Sequence, residues 1–123
     1  MWFDKDDKRT EKRIKGDDKE RLAEDYLVAK SFTLIERNFL CKGGEVDLIM
    51  KDQDYLVFIE VRYRENNEFG GALESITLGK QRKLRRAAEF YLLQQFGNTP
   101  PPCRFDVIGI EGGDALEWIK NAF

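Results

Sequence analysis

An α/β fold, with the element order α-β-β-β-α-β and a mixed β-sheet flanked by helices, follows from three observations. Apolar residues recur at helical spacing in two stretches, from Asp18 to Lys30 and from about Leu78 to Gln95. Three β-branched and aromatic runs lie between those stretches, and a fourth follows the second. At 123 residues the chain has room for one core, not for two ordinary domains.

Residues 1–15 alternate acidic and basic side chains with few apolar anchors. They are expected to form a flexible arm, which places the single domain at 16–123. In the first helix Leu22, Ala23, Tyr26, Leu27 and Ala29 share an arc, and Asp17 with Glu20 three residues on reads as a capping box. Glu20 borders the apolar arc, whereas Glu24 projects further outward. "SFTLIERNFL", "GEVDLIM" and "YLVFIEV" then form a three-stranded meander, the last two joined by the polar turn "KDQD". After the loop "YRENNEFGGALES" the second helix runs to "GNTPPP", through which no helix continues. "RFDVIGI" is the next strand, and "ALEWIK" is a short final strand or turn. Gly70 and Gly71 fit either a close backbone approach to a ligand or an ordinary turn. Trp2, Trp118 and the phenylalanines are expected to pack rather than to stack on bases.

Composition narrows the chemistry. The chain contains no histidine, which excludes serine-histidine and cysteine-histidine catalysis and histidine metal sites. An enzyme of this composition works with carboxylates, lysine, arginine, tyrosine or a hard metal ion. Cys41 and Cys103 lie far apart without partners at zinc-ligand spacing and read as reduced thiols of a cytoplasmic protein. No apolar run approaches the roughly 20 residues of a membrane helix, so no membrane association is expected. A net charge of −2 means that any affinity for nucleic acid must come from a local patch.

Charged residues interrupt the two most apolar strands. Side chains alternate faces, so Glu45, Asp47 and Ile49 are expected on one face of their strand, opposite Val46, Leu48 and Met50. In the next strand Leu56, Phe58, Glu60 and Arg62 share a face. A four-residue turn over Lys51 to Asp54 pairs Met50 with Tyr55, Asp47 with Phe58 and Glu45 with Glu60. Asp47 and Glu60 are then diagonal neighbours at about 7–8 Å, close enough to share one small ion. These residues alone leave two readings open: a solvated face laced with cross-strand ion pairs, or carboxylates that hold a hard divalent cation such as Mg²⁺ or Mn²⁺.

Taken together, Glu20 in the first helix, "GEVDLIM", "FIEVRYR", "FGGALESITLGKQRKLRRAAEFYL" and "RFDVI" resemble the YraN family of bacterial proteins, UPF0102. That family is itself similar to Holliday junction resolvases and the restriction-endonuclease-like superfamily. The resemblance runs from about Gly16 to Ile110. It implies a restriction-endonuclease-like αβββαβ core and a Mg²⁺-dependent (or Mn²⁺-dependent) endonuclease site acting on DNA. In such a site Asp47 and Glu60 hold the metal, with Glu20 in support; Glu45, set against Glu60 in the expected register, is a further candidate ligand. It also implies a homodimer, because a junction offers two symmetric strands. One position departs from the pattern: Arg62 stands where the superfamily usually has lysine. Arginine stabilises a phosphorane but cannot deprotonate water. Either the metal alone generates the nucleophile, or another lysine substitutes, or cleavage has been lost. Lys80 is the substitute the pattern offers, because it projects onto the apolar arc of the second helix at its first turn, facing the sheet. Asp106 matches the family's "FDV" and has no mechanistic role assigned.

Arg82, Lys83, Arg85 and Arg86 are expected on the outward arc of the second helix, a cationic patch suited either to phosphate or simply to solvent. Arg62 and Arg64 are placed to grip a scissile phosphate. Three functions compete: a resolvase-like endonuclease, a non-cleaving nucleic-acid-binding module that keeps the fold, and a protein-binding adaptor.

Overall fold

The computed structural model describes residues 18–64, 73–112 and 115–123, together with the helical backbone of 8–17. Its elements are α1 (Lys8–Ala29), β1 (Thr33–Cys41), β2 (Gly44–Asp52), β3 (Tyr55–Arg64), a 3₁₀ turn (Leu73–Ser75), α2 (Leu78–Phe96), β4 (Cys103–Glu111) and β5 (Leu116–Ile119). The expected αβββαβ order is present, with β5 as a true strand. α1 starts ten residues ahead of the expected boundary, so residues 8–15 continue the helix. Asp17 is therefore not its cap. Residues 1–7, with Trp2, and the loop 65–72, with Gly70 and Gly71, lie outside the described residues.

The five strands lie in the order β1-β2-β3-β4-β5. All neighbours are antiparallel except β3 and β4, which run parallel from Leu56↔Cys103 to Arg64↔Glu111. Parallel neighbours need a crossover, and α2 supplies it. The result is a restriction-endonuclease-like core: one mixed sheet between two helices.

Each face of the sheet buries its own cluster. Ala23 and Leu27 of α1 pack with Leu48, Met50, Val57, Ile59, Ile108 and Ile110. Leu84, Ala87, Ala88 and Tyr91 of α2 pack with Phe39, Val46, Ile49, Leu56, Phe58 and Phe105. Side chains of this size contribute about 1.5–3 kcal/mol each on full burial. The alternation of Val57, Phe58 and Ile59 thus distributes one apolar run between two layers.

Local signals set the helix ends. α1 closes with the Phe32 N–H donating to the Leu27 carbonyl (3.0 Å) and the Ser31 N–H to that of Val28 (2.9 Å), with Ser31 at φ 75°. This is a Schellman motif that delivers Phe32 to the α1-side cluster. α2 starts where the Thr77 hydroxyl accepts the Lys80 N–H and ends at Gly97, φ 60°, ahead of the prolines.

The hairpin between β2 and β3 is tighter than expected. Asp52 pairs with Tyr55 across a two-residue loop, with Gln53 at φ 55°. The register therefore differs by two residues from the one a four-residue turn gives. Because a shift of two preserves side-chain faces, Ile49 and Phe58 keep their common face and now pair with each other on the α2 side.

Candidate active site

β2 and β3 pair from Asp52↔Tyr55 to Leu48↔Ile59, and one step beyond that register stand Asp47 and Glu60. Asp47 is therefore set against Glu60, not against Phe58. Here the regular alternation also breaks. Asn38 of β1 adopts φ 52°, so Arg37 lies toward α1 while Phe39 lies in the α2-side cluster. Asparagine tolerates this left-handed conformation better than most residues. Val46, the pairing partner of Phe39, goes with it to the α2 side, away from Leu48 and Met50. The expectation that Val46, Leu48 and Met50 share a face thus fails at Val46. Between them Asp47 reaches across to β3, where its Oδ2 accepts the Val61 N–H at 2.8 Å.

Glu60 adjoins Asp47 and is half-buried. Its carboxyl is pushed up to about 9, first by burial, then by the charge of Asp47 and a hydrogen bond shared with it; Arg62 and Lys80 pull the other way. The pair therefore holds a proton at neutral pH. Arg62 Nη1 stands 3.6 Å from Glu60 Oε2, while its Nε donates to the Ser75 hydroxyl at 3.0 Å. This second bond fixes the plane of the guanidinium beside the carboxyl pair.

A cavity of about 300 Å³ opens at this point, lined by Glu20 of α1, Glu45 and Asp47 of β2, Glu60 and Arg62 of β3, and Lys80 and Lys83 of α2. Because it lies where β2 and β3 part, both helical layers reach it. The structure brings Glu20, Glu45, Asp47, Glu60, Arg62 and Lys80 together. Among the described residues no three Asp, Glu or Cys side chains close into a ready-made metal cluster. The donors that do meet, two carboxyls in contact, are oxygen ligands of the kind a hard divalent cation prefers.

Other expectations change. Glu24 is not turned outward: it is buried (7% exposed), and Arg37 grips it through Nε at 2.7 Å and Nη2 at 3.0 Å. This bidentate pair ties α1 to β1, with Glu20 one turn earlier on the same helix face. The basic residues of α2 do not share one outward arc. Lys83 lines the cavity, whereas the Arg85 guanidinium lies over the rings of Phe105 and Phe123, 5.1 and 5.5 Å from their centroids. Arg64 sits half-buried at the end of β3.

Gly43 and Gly44 were not singled out in the sequence. A Cβ on Gly44 would stand 2.6 Å from the Lys83 carbonyl oxygen, and one on Gly43 2.5 Å from Arg86 Cδ. The turn into β2 thus lies directly on α2, and Asp47, three residues past Gly44, lines the same cavity as Lys80. A "GG" pair before "EVDLIM" was the available signal.

Asp106 is fully buried and belongs to a different network. It accepts from Arg104 Nε (3.0 Å), Trp118 Nε1 (3.0 Å) and the Asn121 N–H (2.9 Å), and Arg104 also reaches Asp52 at 3.0 Å. Its role is to join β4, β5, the C-terminal segment and the β2–β3 hairpin. Trp118 packs edge-on against Tyr26 and Phe32, as expected of a packing aromatic. Among the described residues no helix is long and apolar enough to cross a membrane.

The sequence profile described as "Uncharacterised protein family UPF0102" matches residues 19–110, a span containing every residue that lines the cavity. A UPF0102 protein of Nitrosospira multiformis is 50% identical over 113 residues, covering 90% of this chain and 93% of its own length. A UPF0102 protein of Nitrosococcus oceani is 49% identical over 114 residues (90% and 92%), and one of Nitrosomonas eutropha 51% over 109 residues (89% and 92%).

Proposed function

The chain belongs to the UPF0102 family, and from that premise we propose that it is a divalent-metal-dependent endonuclease acting on DNA in the manner of a resolvase. The observation that carries this reading is the Asp47–Glu60 contact at the parting of β2 and β3, with Arg62 and Lys80 on the same cavity. A proton shared between a buried and a half-buried carboxyl marks a place where a cation can replace it.

Asp47 and Glu60 would hold Mg²⁺ or Mn²⁺, with Glu20 and Glu45 in support. Mg²⁺ keeps several waters, so a two-carboxylate site suffices when water and substrate phosphate complete the shell. The chemistry such an ion supplies when bound is Lewis acidity toward phosphate oxygen and attacking water. Arg62, oriented by Ser75, stabilises negative charge developing on the phosphate and takes no proton. Lys80 adds a second cation opposite the carboxyl pair.

Calorimetric titration with Mg²⁺ and Mn²⁺ tests the metal. Wild type should bind and Asp47→Ala should not; absence of binding to wild type sinks the reading. Incubation with branched and linear DNA in Mn²⁺ then tests cleavage. The fixed, non-basic guanidinium of Arg62 favours one second reading, a module that keeps the site's shape and binds nucleic acid without cutting it. Binding without cleavage would select it.

A further inference from the structure

The basic residues of α2 divide into two groups, and the division follows the helix geometry. Successive positions turn by about 100°. Lys83 therefore flanks the buried arc of Leu84, Ala87, Ala88 and Tyr91 on one side and Arg85 flanks it on the other, while Arg86 lies further round on the Lys83 side and Arg82 points away. The neighbours agree with this arrangement. Lys83 lines the cavity, and its carbonyl oxygen abuts Gly44. The stem of Arg86 lies against Gly43, in the turn that also carries the exposed Lys42. Arg85 instead covers the stacked rings of Phe105 and Phe123.

Resting on the nuclease reading, we infer that the phosphate backbone of a bound nucleic acid leaves the cavity along one track, from Arg62 and Lys80 over Lys83 to Arg86 and Lys42. Arg82 and Arg85 lie off that track. Charge complementarity argues for this occupant. The chain is net acidic, yet Arg62, Lys80 and Lys83 line the cavity, and Gly43 and Gly44 let the turn that carries Lys42 come close against α2 at Lys83 and Arg86. Glu45 lines the cavity at the start of the track. Arg85 has a packing role that explains its position without a ligand.

The test is binding of fluorescently labelled duplex and branched DNA by the full chain in Ca²⁺, read by anisotropy over a salt series. Each of Lys83→Ala and Arg86→Gln should weaken binding several-fold and reduce the slope of log K against log[salt] by about 0.9. Arg86→Gln keeps the stem on Gly43, and thermal melts confirm folding. Arg82→Ala and Arg85→Ala should leave the slope unchanged, with Arg85→Ala lowering the melting temperature instead. Equal slope changes in all four variants, or changes only at Arg82 and Arg85, overturn the track while the nuclease reading stands. A wild type that binds no DNA at any salt overturns both.

Discussion

Glu60 is the residue whose behaviour most depends on its surroundings. Its carboxyl titrates near 9 in the folded chain against an ordinary 4.5. Between those values the folded state keeps a proton that the unfolded chain releases. Stability therefore falls as pH rises through this window, by at most about 1.4 kcal/mol per pH unit for one proton. Asp47→Asn removes the negative neighbour, lowers that titration and flattens the slope. Urea unfolding of both proteins at pH 6, 7 and 8, without divalent ions, should show the variant gaining on wild type as pH rises. Parallel curves would refute the coupling. Burial and the distance to Asp47 are tertiary quantities, so nothing in "FIEVRYR" announced the size of this effect. The types and approximate positions of the acids were nevertheless legible, because a carboxylate in an apolar strand requires a reason.

At the scale of elements, two backbone devices place the site. Asn38 at φ 52° breaks the alternation of β1 and carries Val46 with it, freeing Asp47 to turn toward β3. Gly44 lets the start of β2 lie against the Lys83 carbonyl. Gly44→Ala should cost about 1–3 kcal/mol, because backbone faces backbone and neither yields easily. The readout is the thermal midpoint, and an unchanged midpoint would show that the contact relaxes freely. The strands and α2 themselves were readable from periodicity and from "GNTPPP". The start of α1 was not, because the charged residues before Asp18 lack an apolar stripe, and helix there runs against the local pattern.

For the whole molecule, the network around Asp106 ties the sheet together. The buried carboxylate collects donors from β4, β5 and the segment after it, while Arg104 extends the link to the β2–β3 hairpin. Asp106→Ala removes the acceptor of the Arg104 Nε–H, the Trp118 indole N–H and the Asn121 N–H, leaving the buried guanidinium with Asp52 alone. A loss of about 3–5 kcal/mol is expected, measured by urea unfolding, together with a changed Trp118 emission. A loss below about 1 kcal/mol would mean that the network rearranges around the gap. "RFDVIGI" marked Asp106 as unusual, but its partners lie at other points along the chain and meet it only in the fold.

What the sequence determined by itself is the order of elements, the two-sided sheet and the residue types at the site. Those follow from periodicity, breakers and the absence of histidine, all local in the chain. The tertiary structure alone decided that Asp47 opposes Glu60, that Glu24 turns inward to Arg37, and that the cations of α2 part to different sides. Each depends on a register, a glycine contact or a twist that brings distant segments within a few ångströms, and the energies that select them arise between elements rather than along them.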